Sequence, residues 1–319
     1  MQRGRSIAAN LLLACVAVGY AAPTTSAAVR QQKQWLAGGE QTPLWPNSLA
    51  IAEPELKGPE TASQNVSRPT MTVYRPKGHN SGAAIIVYPG GGYQGLAVGL
   101  EGTEVCDWAN RIGMTCAVVL RYRVPQTWWH ENCHCQYQPR PFLPLEDAER
   151  AMGLLRQRAA SLGVDPHKIG VIGFSAGGHL VTAISNVAVR SYALVDAADR
   201  LSARPNFAMP IYPGHLWSGD GGPGMDEVKL FDFDPVRADA PPTFIVQAED
   251  DPVDDVRNSI SYFLALKAAK VPVEMHIYAS GGHAFGLRPN RQPISHWPAL
   301  AESWLRTIGI LPKNEAKSR

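Results

Sequence analysis

From residue 83 onward, short apolar runs alternate with helix-like stretches. The runs are AAIIVY (83–88), CAVVLRY (116–122), KIGVIG (168–173), FAMPIY (207–212), TFIVQ (243–247) and VEMHIY (273–278). Most are nearly unbroken in hydrophobicity, which predicts central parallel strands covered on both faces. Between them, LEDAERAMGLLRQRAASLG places Leu145, Ala148, Met152, Leu155, Ala159 and Leu162 at spacings of three and four, one apolar helix face. GGHLVTAISNVA, DDVRNSISYFLALKAAK and WPALAESWLRTIGIL read as further helices. Strands alternating with helices predict an α/β fold, a mostly parallel sheet with helices on both faces.

Composition narrows the picture without deciding it. Of 319 residues, 45% are hydrophobic and 18% charged, enough apolar material for a sizeable core. Arg3 and Arg5 account for the excess of positive charge, because beyond residue 27 basic and acidic side chains balance at 28 each. Such a balance predicts no nucleic-acid partner. Residues 1–27 read as a signal peptide: two arginines, the apolar stretch IAANLLLACVAVGYAA, then small residues suited to cleavage. The stretch is about 16 residues, short of the ~20 that span a bilayer, so no stable membrane insertion is expected. A lipid-anchored form acylated at Cys15 is the rival reading, and either one predicts a secreted or periplasmic protein.

Export permits disulfides among Cys106, Cys116, Cys133 and Cys135. Cys106 falls in a helix-like segment and Cys116 at the start of a strand, so both can serve simply as core thiols. Cys133 and Cys135 lie in HENCHCQYQ beside His130 and His134. Zinc sites use wider pairs, and no second pair of ligands accompanies this one, so a disulfide or free thiols are expected there and no metal.

Chemistry enters at Gly173-Phe174-Ser175-Ala176-Gly177, a G-x-S-x-G set after a strand and before a helix. A nucleophile placed there sits in a tight, strained turn, and flanking glycines relieve the crowding. A serine nucleophile needs a base, and the base an orienting carboxylate, later in the chain and in the order acid then histidine. TFIVQAEDDPVDD supplies acids directly after a strand, and VEMHIYASGGHAFG supplies His283 in a glycine-flanked loop after the last strand. Asp250 and Asp251 compete for the acid role. Asp251 is preferred, because D-P-V resembles the D-x-x-V pattern after the corresponding strand of this fold. Asp254 and Asp255 read as acids at a helix N-terminus. His179, His215, His276 and His296 lack the combination of glycine hinge and chain order. The glycines of VYPGGGYQG let backbone N–H groups approach a reacting carbonyl oxygen, so Gly91, Gly92 and Ala176 are the expected oxyanion donors. The same stretch has neither G-x-G-x-x-G spacing nor a Walker lysine, which argues against a phosphate loop.

These stretches resemble secreted bacterial α/β-hydrolases of the acetyl xylan esterase and feruloyl esterase-like group. The likeness runs through YPGGGYQGLA, the EG at 101–102, LRYRVP, PLEDAERAMGLLRQRA, KIGVIGFSAGGHL, AEDDPV and GGHAFGL, over roughly residues 43–312. Two departures stand out. Pro89 replaces the usual histidine before the glycines, and QTWWHENCHCQYQPRPF is a local elaboration.

The resemblance implies an α/β-hydrolase fold and a cofactor-free serine ester hydrolase that deacetylates plant polysaccharide or its oligosaccharides. A feruloyl or general short-chain esterase is the alternative. The expected organisation is a signal peptide (1–27), an extended arm rich in Pro, Gln, Ser and Thr (28–70), a catalytic domain (71–312) and a disordered tail (313–319). Tyr93, Trp128 and Trp129 are candidates for binding substrate, the tryptophans by stacking on sugar faces, with core or lid packing as the rival reading. A serine peptidase of this fold usually adds a propeller or large cap, for which this length leaves no room. A non-catalytic carbohydrate-binding protein would have no reason to keep three catalytic positions in order.

Overall fold

Strand β3 (Ala84–Tyr88) is buried at all five positions and β7 (Ile169–Phe174) at all six. A strand is buried on both faces only when helices cover both sides of its sheet. The computed structural model describes residues 39–125, 129–130, 135–136, 143–217, 228–230 and 235–313, and within them the apolar runs become strands. Besides β3 and β7 these are β4 (Thr115–Arg121), β8 (Ala208–Ile211), β9 (Thr243–Ala248) and β10 (Val273–Tyr278). Two earlier strands, β1 (Glu40–Pro43) and β2 (Thr70–Tyr74), complete an eight-stranded sheet of order β1-β2-β4-β3-β7-β8-β9-β10. Its β1–β2 and β2–β4 pairs are antiparallel and the remainder parallel. A separate hairpin pairs β5 (Trp129–His130) with β6 (Cys135–Gln136). The signal-peptide expectation, Cys15, Trp128, Cys133 and residues 314–319 lie outside the described residues.

The order of strands positions the site. The chain steps from β3 outward to β4, then returns to lay β7 on the other side of β3. At such a reversal the loops leaving the two strands diverge to opposite faces, opening a crevice at their carboxyl ends. Pro89–Gly92 and Ser175 follow these two strands directly.

The helices are α1 (Glu104–Arg111), α2 (Leu143–Gln157), α3 (Ala159–Leu162), α4 (Ala176–Ser185), α5 (Arg257–Ala268) and α6 (Trp297–Thr307). The single helix expected over residues 145–163 is two, α2 and α3, ended by Gly163 in a left-handed cap. Its apolar face is buried as the spacing predicts, but so are Glu146, Asp147, Glu149 and Arg150. The N-terminal arm lies over this polar side. Asp147 accepts from the Trp45 indole at 2.7 Å and from the Arg123 backbone and guanidinium at 2.8–3.0 Å. Arg123 reaches on to the Ala52 carbonyl, and Arg150 to that of Leu44. The arm thus contributes β1 to the sheet and a hydrogen-bonded cover to the polar side of α2.

Cys106 and Cys116 are fully buried, as core thiols would be, but they form a disulfide with Cα atoms 5.2 Å apart, tying α1 to the start of β4.

Candidate active site

Ser175 occupies φ 53°, ψ −122°, between β7 and α4. A non-glycine residue held there stores on the order of 1–3 kcal/mol of strain, which persists only where surroundings enforce it. The surroundings are tight. A Cβ on Gly173 would overlap the Gly177 carbonyl, and one on Gly177 would overlap the Tyr88 carbonyl. Both glycines of the motif are therefore demanded by close backbone approach. Ser175 N–H donates to the Ile211 carbonyl at 3.1 Å, which ties the turn to the end of β8.

The glycine loop packs directly against this turn. A Cβ on Gly90 would stand 3.0 Å from the Ser175 Cβ and 2.6 Å from Glu101 Oε2. Gly91 and Gly92 adopt φ 131° and 59°. Ala176 opens α4, so its N–H is among those with no partner inside the helix. Tyr93, expected at the substrate, has no exposed surface. Its hydroxyl meets His179 Nδ1 at 2.8 Å, and its ring packs near Tyr122 and His215, so it backs the loop instead of facing a ligand. Trp129 belongs to β5, and Trp128 falls outside the described residues.

His283 hangs from the loop after β10. Asp250 anchors that loop by accepting from Gly281 and Gly282 N–H, both at 2.8 Å. Asp251 meets the imidazole itself, its two oxygens 2.8 and 3.1 Å from Nδ1. Asp251 is held by N–H groups of Val253 and Asp254 and by the Gln247 amide, which Ser259 positions in turn. With Asp251 ionised, Nδ1 carries the proton and Nε2 is left as acceptor, a tautomer assigned from the bonding pattern. Burial alone would push the imidazole toward its neutral form. The Asp251 hydrogen bond and the charges of Asp254, Asp251 and Glu101 outweigh it, and the pKa rises above the usual histidine value.

Three participants escaped the reading of the sequence. Asp254 is not a helix acid: α5 begins at Arg257, and the Asp254 carboxylate turns inward to accept from the Ser175 hydroxyl at 3.1 Å. The same oxygen lies 3.8 Å from His283 Nε2. Asp255 does serve the helix start, accepting from Arg257 N–H and pairing with its guanidinium. Glu101, nearly fully buried in the turn Gly99–Thr103, accepts from Gly90 N–H at 2.7 Å and from the Tyr212 hydroxyl at 2.9 Å. Burial raises its pKa. Tyr212 then lies edge-on to His283, ring centroids 5.1 Å apart. The EG at 101–102 was a visible signal for Glu101; nothing local marks Tyr212 or the direction of Asp254. His215, its pKa pushed down to about 4 by burial, stays neutral beside Tyr93 and His179. Among the described residues, no group of histidine, cysteine and carboxylate side chains is arranged to hold a metal ion.

Comparison with known proteins agrees with this architecture. The chain is 33% identical to an acetylxylan esterase from Xylanibacter ruminicola over 263 residues, 77% of this chain and 49% of that protein. It thus spans about half the length of that relative. Among solved structures, the acetyl ester-xyloside bifunctional hydrolase from Caldicellulosiruptor lactoaceticus is 32% identical with a TM-score of 0.68, covering 86% of this chain and 97% of that one. A propionate-bound esterase from Thermogutta terrifontis, 24% identical with a TM-score of 0.63 over 87% of this chain and 97% of that one, shares the fold. The resemblance to acetyl xylan esterases and the α/β-hydrolase fold are both borne out. Residues 144–308 match the prolyl oligopeptidase family, and with the strand–turn–helix at Ser175 and the sheet that carries it, the chain belongs to that family.

Proposed function

We propose that this protein is a serine carboxylic-ester hydrolase that removes acetyl groups from xylan-type polysaccharide or its oligosaccharides. One observation carries the reading: a His283–Asp251 pair stands in the same crevice as a serine held on a strained turn beside a glycine loop. Support for the substrate comes from the names of the two relatives more than 30% identical, an acetylxylan esterase and an acetyl ester-xyloside hydrolase.

In this mechanism Ser175 Oγ attacks the ester carbonyl carbon as its proton passes to His283 Nε2. Asp251 holds the imidazole tautomer and stabilises the imidazolium. The N–H groups of Gly91, Gly92 and Ala176 bind the oxyanion. The carbon–oxygen bond to the sugar then breaks, the imidazolium proton goes to the leaving alkoxide, and acetyl-Ser175 remains. His283 next takes a proton from water, the resulting hydroxide attacks the acyl carbon, and acetate departs as Ser175 recovers its proton. No cofactor takes part. Export fits the buried Cys106–Cys116 disulfide, which an oxidising compartment maintains, and no helix among the described residues is long and apolar enough to cross a membrane.

The test is acetate release from acetylated xylan by the wild type and by Ser175→Ala. The wild type releases acetate, and the variant loses the activity by several orders of magnitude while keeping its far-UV spectrum and Tm. A variant that hydrolyses at the wild-type rate removes the reading. Activity along p-nitrophenyl acetate, butyrate and octanoate falls with chain length, whereas efficient ferulate release from methyl ferulate selects the feruloyl esterase alternative. Membership of a peptidase family adds one control, a panel of aminoacyl and peptidyl anilides, on which this mechanism expects little turnover.

A further inference from the structure

The oxyanion donors come from two separate pieces of chain. Gly91 and Gly92 lie on the loop after β3, and Ala176 opens α4. Such donors stabilise a developing charge only if their spacing is held while the charge forms. The loop is a closed turn, with Gln94 and Gly95 N–H both donating to the Gly91 carbonyl, at 3.0 and 3.1 Å. Tyr93 stands within that turn at φ 55°, a left-handed conformation that a bulky residue keeps only where its surroundings enforce it. Its ring is wholly buried beside His215 and beside Tyr122, whose own hydroxyl donates to the Pro89 carbonyl at 2.6 Å. A phenylalanine would fill the same socket. What the hydroxyl adds is a hydrogen bond of 2.8 Å with Nδ1 of His179. His179 is nearly fully buried in the first turn of α4, and its N–H donates to the Ser175 carbonyl at 3.0 Å. The bond therefore runs from the residue that follows the loop donors to the helix turn that carries the third.

We infer that Tyr93 and His179 are positioning residues whose hydrogen bond clamps the glycine loop to the nucleophile helix and so fixes the spacing of the oxyanion donors. Both are buried, so they act through the N–H groups of Gly91, Gly92 and Ala176. The inference rests on the role proposed for those groups.

The experiment compares ethyl acetate with ethyl thionoacetate, which differ only in carrying C=O or C=S, with hydroxide-catalysed hydrolysis as the reference for intrinsic reactivity. Donors spaced for an oxyanion discriminate against sulfur, a larger atom and a weaker acceptor, so wild-type kcat/KM favours the oxygen ester beyond the hydroxide ratio. Tyr93→Phe keeps the ring and removes the bond. A shifted donor loses less than the 10²–10³ of a deleted one, so kcat on ethyl acetate is expected to fall about 10- to 100-fold. KM stays nearly constant, the mark of an interaction made in the transition state, and the oxygen-to-sulfur ratio falls with kcat. His179→Ala does the same, and His179→Asn, whose amide takes the place of Nδ1, recovers part of the loss. Because each change breaks the same bond, the double variant Tyr93→Phe/His179→Ala loses no more than the more damaging single one. An unchanged kcat in Tyr93→Phe overturns the inference. So do losses that multiply in the double variant, and so does a fall of both esters by one factor, which would make the pair structural. If Tyr93→Phe does not fold, the His179 variants decide on the same ratio. A wild-type ratio equal to that of hydroxide removes the oxyanion site and the inference with it. The esterase reading fails separately, through Ser175→Ala retaining hydrolysis of ethyl acetate.

Discussion

The Tyr212 hydroxyl donates to Glu101 Oε1 at 2.9 Å, and the other oxygen of the same carboxylate holds Gly90 N–H at 2.7 Å. Since Tyr212 also packs edge-on to His283, one buried carboxylate joins the glycine loop to the base. Glu101→Ala removes both bonds and leaves the glycine loop without its carboxylate anchor at Gly90 N–H. A single lost oxyanion donor costs about 10²–10³ in kcat, and a displaced loop weakens those donors without deleting them, so a loss of about 10- to 100-fold in kcat is expected, with Glu101→Gln milder. The readout beyond activity is the pH profile: removing this negative charge lowers the His283 pKa, so the acid limb moves to lower pH. An unchanged kcat and limb would show that the link has no catalytic consequence.

The acid limb itself makes a second prediction. The base works neutral, so kcat/KM rises with pH through the His283 pKa. Burial opposes protonation, but Asp251, Asp254 and Glu101 together favour it and the net direction is upward. The half-maximal point of kcat/KM for p-nitrophenyl acetate therefore lies above the ordinary histidine value of about 6.5. Asp254→Asn shifts it down. A wild-type limb at or below that value contradicts the electrostatics described.

Asp250 and Asp251 are adjacent in sequence but hold different things: one the backbone of the His283 loop, the other the imidazole. Asp251→Asn presents an amide to Nδ1 and favours the wrong tautomer, a change worth roughly 10⁴ in kcat in a well-studied serine enzyme. Asp250→Asn keeps an acceptor oxygen for Gly281 and Gly282, and its loss is expected to be under about 10-fold. Steady-state kinetics on the two variants decides between them, and a larger defect in Asp250→Asn reverses the assignment.

Away from the site, Asp147→Ala tests the arm. It leaves the fully buried Arg123 guanidinium without its main partner and the Trp45 indole without an acceptor. Breaking one side of a buried ion pair costs about 3–5 kcal/mol, to be read as a fall in the urea midpoint at unchanged slope. A change below about 1 kcal/mol would mean that Glu146 and the Ala52 carbonyl suffice for Arg123.

By itself the sequence determined what depends on neighbours along the chain. Unbroken apolar runs separated by helical periodicity dictate strands buried on both faces, because no other placement removes both sets of side chains from water. Gly173 and Gly177 around Ser175 dictate a sharp turn, because larger residues cannot occupy it. What lay beyond it were pairings across long separations. Asp254 reaches a serine 79 residues away, Glu101 a tyrosine 111 residues away, and Trp45 an aspartate 102 residues away. Whether an acid caps a helix, enters a site or is sealed beneath an arm depends on which surfaces the sheet order brings together. Helix periodicity reports only the apolar face of α2; the arm that covers its polar side was decided by tertiary structure. The Cys106–Cys116 bond was settled the same way: burial of both thiols was legible, but their 5.2 Å approach exists only once α1 packs back on β4.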